Sequence, residues 1–192
     1  MIFVGARRSS EVNTEMEKTI SSQTIYEGRA IRLRVDTVNR PNGKTTTREI
    51  VDRSDCIAVV PIDHKDNVLL VRQYRKAVGK YLLEIPAGGI DPGEQPLAAV
   101  RRELQEEIGY LPNKINKVGG FYAAPGYSSE YMHLYVGTYL LPSRLEAEDT
   151  EDIQVVRVPL ARIPDMIDSG EICDAKSIVG LLRVISLGLK GK

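Results

Sequence analysis

The sequence predicts an α/β (α+β) fold in which α-helices sandwich a mixed β-sheet. Short runs rich in β-branched residues, separated by turn residues, fill much of the chain and are typical of strands. One amphipathic helical pattern lies near the middle, and two more close the chain. Strands and helices do not alternate regularly, as a doubly wound sheet requires, so helices packed on a mixed sheet fit best.

The length of the chain predicts one main domain, and its balanced charge gives no reason to expect a strongly charged partner. The 192 residues, 42% of them hydrophobic, suffice for one well-buried core. Lys plus Arg and Asp plus Glu each number 26, so we expect no nucleic acid and no membrane as partner. Cys56 and Cys173 lie far apart and fit no disulfide framework, and no signal peptide precedes the domain, so we expect a cytoplasmic protein.

The first 52 residues predict a leader followed by a β segment. Residues 1–18 are polar and lack a convincing period, so we interpret them as loosely ordered. Extended patterns follow at 24–38 and 45–52, and Pro41-Asn42-Gly43 supplies a turn between them. The predicted domains are therefore the leader at 1–18, an N-terminal β segment with a hairpin at 19–52, and a main domain at 53–192.

The main domain begins with strand patterns. We predict that the first two, 56–60 and 68–74, pair as an antiparallel hairpin around a turn at 63–67. The segment 87–94 is so rich in Gly and Pro that it predicts a loop. The remaining predicted strands are 81–86, 117–123, 131–140 and 153–158.

Helical periodicity marks three segments. In the first, at about 95–108, Leu97, Val100, Leu104 and Ile108 recur three and four residues apart and form one apolar stripe, and Gly109 terminates the helix. Two more helical patterns, at 160–169 and about 175–189, are separated by Gly170.

The first helix also carries three carboxylates on one surface. Glu106 and Glu107 lie three and four residues after Glu103, so the three side chains repel one another, and Arg102 relieves only part of that repulsion. Most Glu-rich helix faces are merely solvated. Oxygen ligands without His or Cys nevertheless suit a hard divalent cation, above all Mg²⁺ bound to phosphate, and the preceding glycines leave the Ala87 carbonyl free to coordinate it.

The spacing of this region resembles the signature of the Nudix hydrolase family. That signature is a glycine, five residues, Glu, seven residues, and then Arg-Glu-aliphatic-x-Glu-Glu-x-Gly-aliphatic. The chain has Gly88, then Glu94, then the run from Arg102 to Gly109, at the same spacings. Only Tyr110 departs, where an aliphatic residue is usual. A chance match at eight fixed positions over 23 residues is rare, so the match favours a functional site over a merely solvated helix surface.

The resemblance implies a Nudix fold and roles for the matching residues. Glu103 and Glu107 bind metal with help from Glu106 and the Ala87 carbonyl, and the metal is Mg²⁺, with Mn²⁺ as a substitute. Arg102 orients the glutamates through an ion pair. Glu94 and Gly88 contribute to the site around the substrate.

A second resemblance, to the ADP-ribose pyrophosphatase subfamily, begins 15 residues after Tyr110. There Pro125, in Ala124-Pro125-Gly126-Tyr127-Ser128-Ser129-Glu130, matches the position of the proline that marks this subfamily. The segments around Arg48 and Arg75 resemble those whose arginines contact the diphosphate and the terminal ribose, and Arg suits that task because its planar fork binds phosphate. The stacking partner of adenine stays open between Arg29, Tyr26 and the partner subunit.

The resemblance also implies a general base in the acidic loop at 146–152. Glu151 is our first choice and Glu148 the second, although a merely solvated acidic loop is the alternative. His64 and His133 are interpreted as turn and strand residues, and Cys56 as a buried small hydrophobe. We assign none of these three a chemical role.

The function implied is Mg²⁺-dependent hydrolysis of the diphosphate bond of ADP-ribose, a small-molecule nucleoside diphosphate, to AMP and ribose 5-phosphate. Other nucleotide sugars or dinucleoside polyphosphates are the alternative substrates. A non-catalytic ADP-ribose-binding module is a third reading, and the intact carboxylates argue against it. Enzymes of this kind are typically homodimers, so we expect the N-terminal hairpin to contribute to a dimer.

Overall fold

The computed structural model describes residues 16–147 and 152–191. They divide into an N-terminal unit that ends at Arg53 and a larger unit that begins at Ser54. Most of the predicted leader, together with Glu148 and Glu151, lies outside the described residues. In the described ranges, no helix is long and apolar enough to cross a membrane.

The N-terminal unit is an antiparallel sheet of three strands, ordered β1-β2-β3. The hairpin predicted around Gly43 is present between β2 and β3, and Gly43 there has a φ of 77°. The extended run predicted at 24–38 is instead divided between two strands, because the chain turns at Gly28, whose amide donates to the Ile31 carbonyl at 3.0 Å. The strands are β1 (Lys18–Glu27), β2 (Arg32–Asn39) and β3 (Thr45–Asp52).

The larger unit contains two sheets. The first is a mixed sheet of four strands in the order β7-β4-β9-β8, in which only β4 and β9 run parallel. The second is an antiparallel sheet in the order β10-β5-β6. The strands are β4 (Cys56–Pro61), β5 (Asn67–Arg75), β6 (Lys80–Glu84), β7 (Ala87–Gly89), β8 (Tyr110–Tyr122), β9 (Tyr131–Pro142) and β10 (Gln154–Pro159).

Two predictions were wrong, and one predicted strand begins earlier than expected. The predicted hairpin between 56–60 and 68–74 does not form, because β7 and β9 take both hydrogen-bonding edges of β4; only Ile62, just after 56–60, forms an isolated bridge with Val68. The predicted loop at 87–94 begins with strand β7, since its glycines still offer the backbone groups that pair with β4. The strand predicted at 117–123 also begins earlier, at Tyr110.

The helices cover opposite faces of β4, as the predicted sandwich requires. Ile57 and Val59 point to the face that packs with α1, whereas Ala58 and Val60 belong to the cluster that includes α3. Leu97 is 45% exposed, so the predicted apolar stripe of α1 begins at Val100. The helices are α1 (Pro96–Glu107), α2 (Ile163–Asp168) after a short 3₁₀ turn (Leu160–Arg162), and α3 (Ala175–Ser186).

Candidate active site

The site is formed where α1 packs beside the short strand β7. Glu103 of α1 is only 8% exposed and lies directly against Gly88 of β7. A Cβ atom at Gly88 would lie 1.9 Å from Glu103 Oε1, so the Glu103 carboxylate would have to shift. Glycine at this position therefore lets the backbone of β7 approach the carboxylate where it lies.

Glu107 is the second buried carboxylate of α1, at 7% exposure. Its Oε2 accepts a hydrogen bond of 3.2 Å from the Ala87 amide. Burial, reinforced by the charge of Glu103, raises the pKa of Glu107 to about 8, although the Ala87 amide acts in the opposite direction. Burial also raises the pKa of Glu103. Both side chains therefore pay an electrostatic penalty for ionisation, which a nearby cation would remove.

Arg102 connects the remaining carboxylates. Its Nε and Nη2 donate to the two oxygens of Glu94 at 3.0 and 2.9 Å, and its Nη1 donates to Glu103 at 2.6 Å and to Glu106 at 3.3 Å. Nη2 also donates to the Gly89 carbonyl at 2.9 Å. One guanidinium thus joins three glutamates to strand β7.

Glu94 stabilises the loop that enters α1. Its Oε2 accepts the Asp91 amide at 3.0 Å in addition to the two hydrogen bonds from Arg102. These hydrogen bonds lower the pKa of Glu94, and the Arg102 side chain has the largest effect. Glu94 is therefore ionised at neutral pH and already paired, which suits support of the site better than direct metal coordination.

The donor set fits a hard divalent cation. Among the described residues, no three acidic, His or Cys side chains are already gathered as a metal-binding cluster. Glu103 and Glu107 are nevertheless buried carboxylates that repel each other, and Glu106 and the Ala87 backbone lie beside them. Oxygen ligands of this kind are those that Mg²⁺ and Mn²⁺ prefer.

A second charged cluster, which the sequence reasoning missed in part, lies at the ends of β5 and β6. Arg75 donates through Nε and Nη2 to both oxygens of Glu84, at 2.8 and 2.7 Å. Glu84 is 1% exposed and also accepts from Lys176 of α3. The only available signal was a charged residue at the end of each apolar pattern, which is too common to single out Glu84 or Lys176.

The other predicted site residues lie in separate places. Pro125 lies in a turn, in which the Tyr127 and Ser128 amides donate to Ala124, and Glu130 accepts from the Cys56 thiol at 3.2 Å. Arg29 and Arg48 belong to the N-terminal unit, where Arg48 binds Glu17 at 2.6 and 3.0 Å. As expected, His64 lies in a turn, His133 in β9, and Cys56 is buried.

Comparison with known proteins identifies the family. Residues 52–178 match the NUDIX domain, and residues 17–51 match the nucleoside diphosphate sugar hydrolase N-terminal domain. The chain therefore belongs to the Nudix family. The boundary between the two matches lies close to the division between the two units of the structure.

Individual relatives cover nearly the whole chain. It is 36% identical to an ADP-ribose pyrophosphatase of Bacillus subtilis over 84% of this chain and 88% of that protein. It is 35% identical to a methanol dehydrogenase activator of Bacillus methanolicus, over 86% and 90% of the two chains. A solved structure of an ADP compounds hydrolase superposes with a TM-score of 0.83 at 28% identity, over 90% of this chain and 94% of that one. The predicted membership of the Nudix hydrolases and the predicted fold class are thus confirmed.

The contact between Gly88 and Glu103 gives the first prediction. Replacing Gly88 with Ala forces Glu103 away from β7, and we expect hydrolytic turnover to fall by about 10²-fold, because small displacements of catalytic groups have effects of that size. Gly89→Ala is the matched control, since a Cβ there meets no atom within 4 Å. Steady-state kinetics at saturating Mg²⁺ measures both, and equal activity of the two variants would contradict the assigned contact.

The buried Glu84 gives a prediction about pH. Burial alone would raise the pKa of Glu84, but hydrogen bonds and charge from Arg75 and Lys176 outweigh it, and the net pKa lies below the ordinary value of 4.5. The stability that Glu84 contributes is therefore present above pH 4.5 and is lost as the pH falls through the lower folded-state pKa. Glu84→Gln should cost about 3 kcal/mol of unfolding free energy at pH 7, because it leaves Arg75 without its carboxylate partner and Lys176 with Asp174 alone.

Urea unfolding of the wild type and Glu84→Gln at a series of pH values tests this prediction. The difference in unfolding free energy between the two proteins should shrink as the pH falls below 4.5. A difference that stays constant down to acid pH would show that the charge of Glu84 is not what stabilises the fold.

Proposed function

We propose that this protein hydrolyses the diphosphate bond of ADP-ribose, giving AMP and ribose 5-phosphate, with Mg²⁺ as the cofactor and Mn²⁺ as a substitute. The observation that carries the proposal is the pair of buried carboxylates, Glu103 and Glu107, held against strand β7 in a Nudix domain. Relatives named ADP-ribose pyrophosphatase and ADP compounds hydrolase support the choice of substrate.

The metal would be held by Glu103, Glu106, Glu107 and the Ala87 carbonyl. When bound, it neutralises the diphosphate and lowers the pKa of the attacking water. Arg102 keeps the carboxylates in place through its hydrogen bonds to Glu103 and Glu106. In the overall reaction the oxygen of water forms a bond to one phosphorus, and the P–O bond to the bridging oxygen breaks. Catalytic Glu151 accepts the proton released from water, and the departing phosphate takes up the electron pair.

We assign recognition of the rest of the substrate to the other residues that the sequence singled out. Arg75 binds the diphosphate, because a guanidinium held by Glu84 is already oriented. Arg48 and Arg29 of the N-terminal unit contact the outer parts of ADP-ribose, and Tyr26 is the alternative to Arg29 for stacking on adenine. The segment from Pro125 to Glu130 contacts the substrate, and Gly88 and Glu94 shape the metal side of the site.

A second candidate is hydrolysis of other nucleoside diphosphate sugars. The match of residues 17–51 to the nucleoside diphosphate sugar hydrolase N-terminal domain favours it. Both candidates use the same carboxylates and differ only in what binds the groups on either side of the diphosphate. Substrate competition therefore distinguishes them.

We further propose that the protein acts as a homodimer in the cytoplasm. Strand β1 is an edge strand exposed along its whole length, and it carries the exposed apolar residues Ile20, Ile25 and Tyr26, a combination that favours pairing with another chain. Cys56 and Cys173 form no disulfide with each other, which suits a reducing compartment. Light scattering should give twice the chain mass of 21.3 kDa, and Ile25→Lys should shift it towards the monomer; a monomeric wild type would exclude the dimer.

The function is tested by mass spectrometry of the products from ADP-ribose, Mg²⁺ and ¹⁸O-labelled water, with ADP-glucose and diadenosine polyphosphates alongside. We expect AMP and ribose 5-phosphate from ADP-ribose and no products with EDTA, and the labelled product identifies the phosphorus attacked. Cleavage of another nucleotide but not of ADP-ribose would favour the second candidate. No cleavage of any substrate would favour a binding module.

The assignment of the general base is tested by substituting two nearby glutamates in turn. Glu151→Gln should lower turnover by about 10²-fold, because a general base contributes at least that much, while substrate binding is preserved. Glu148→Gln is the matched control in the same acidic segment of the sequence and should stay near the wild-type turnover. If Glu148→Gln loses activity instead, the roles of the two are exchanged; near-normal turnover of both would remove these two glutamates from the proton transfer.

A further inference from the structure

Glu84 is the most completely buried carboxylate among the described residues, at 1% exposure. It is bound by two cations from different elements, Arg75 at the end of β5 and Lys176 in the first turn of α3. An ion so deeply buried is costly unless its partners are well placed. The three side chains therefore form an organised charge network, in which Glu84 holds both cations in place.

Lys176 is itself held in place. Its side chain is 11% exposed, and Nζ donates to Glu84 and, at 2.9 Å, to Asp174. Asp174 is the N-cap of α3 and also accepts the Ser177 amide at 3.1 Å and the Ser177 hydroxyl at 2.6 Å. A lysine ammonium is ordinarily a mobile point charge, but here two carboxylates fix its position.

Arg75, in contrast, uses only part of its guanidinium group within the cluster. Nε and Nη2 are used by Glu84, whereas Nη1 has no hydrogen-bond partner among the described residues, and the side chain is 39% exposed. Glu84 ends β6 three residues before Ala87, whose amide donates to Glu107 Oε2 at 3.2 Å, so the network is attached to the segment that contacts the buried carboxylates of α1. The guanidinium thus has one side anchored and the other available to an anion.

We propose that Lys176 is a positioning residue of the active site, which holds Glu84 and, through it, orients the free side of Arg75 towards the substrate diphosphate. This inference rests on the proposed function, because it takes the diphosphate as the ligand of Arg75. Without Lys176, Arg75 is the only countercharge of Glu84. The carboxylate is then free to rotate and to draw the guanidinium out of place.

A purely structural role for Lys176 would be to attach α3 to the sheet. The helix has a second attachment to the strand one residue later, where the Ile85 amide donates to the buried Ser177 hydroxyl at 2.8 Å. Ser177→Ala removes that attachment and the hydroxyl's hydrogen bond to Asp174, but the Ser177 amide still donates to Asp174, and both cations of Glu84 are retained. It is therefore the matched control for loss of packing between α3 and the strand.

The experiment compares wild type, Lys176→Met, Lys176→Arg, Ser177→Ala, Arg75→Gln and the double variant Arg75→Gln with Lys176→Met. It measures kcat and KM for ADP-ribose with Mg²⁺, the Kd of the non-hydrolysable α,β-methylene ADP-ribose by calorimetry, and Tm. We expect Lys176→Met to raise KM and Kd by about tenfold with a smaller change in kcat, since a hydrogen bond to a charged group is lost. Lys176→Arg should restore most of the binding.

The double variant tests the path through Arg75. Since Lys176 acts on Arg75, Lys176→Met should add less than about threefold to the KM of Arg75→Gln. Ser177→Ala should lower Tm while KM and Kd stay within about twofold of wild type. Unchanged KM and Kd in Lys176→Met, equal rises in Ser177→Ala, or fully additive effects with Arg75→Gln would each overturn the inference. A wild type that neither cleaves ADP-ribose nor binds the analogue would instead overturn the proposed function.

Discussion

The packing of two buried carboxylates of α1 against strand β7 is the constraint on which the rest of the site depends. Glu103 and Glu107 lie almost out of water, and burial raises the pKa of each. Gly88 makes the contact sterically possible, and Arg102 supplies charge on the other side. The protein thus carries an electrostatic penalty that a bound divalent cation would remove, and under the proposed function the same cation would act on the substrate diphosphate.

The position of β4 explains why these groups meet. This strand lies between β7 and β9 and buries both its faces, one in the cluster with α1 and the other in the cluster with α3. Strand β7 is therefore placed beside α1, while β6 leads directly into it through Ile85 and Pro86. The cluster of Arg75, Glu84 and Lys176 joins the second sheet and α3 to the same region. Both layers of helices consequently contribute charged groups to the segment from Glu84 to Gly89, α3 at Glu84 and α1 at Ala87 and Gly88.

The local features of the site could be predicted from the sequence. Gly88, Glu94 and the run from Arg102 to Gly109 lie close together in sequence, so their spacing can be recognised without knowing how the strands pair. The helix itself, its end at Gly109 and the turn at Gly43 follow from periodicity and backbone preference, and the structure confirms them. The predicted pairing of 56–60 with 68–74 was wrong, because closeness in sequence does not decide which strands occupy the two edges of β4.

By itself, therefore, the sequence determined the class of chemistry, since the carboxylates and their spacing lie within one helix and its preceding loop. Only the tertiary structure decided how these groups are used. It buries Glu103 and Glu107, pairs Glu94 with Arg102, and brings Glu84 and Lys176 together across 92 positions of the chain. The physical reason is that burial and ion pairing depend on which elements pack together, and such long-range contacts leave no periodic trace in the sequence.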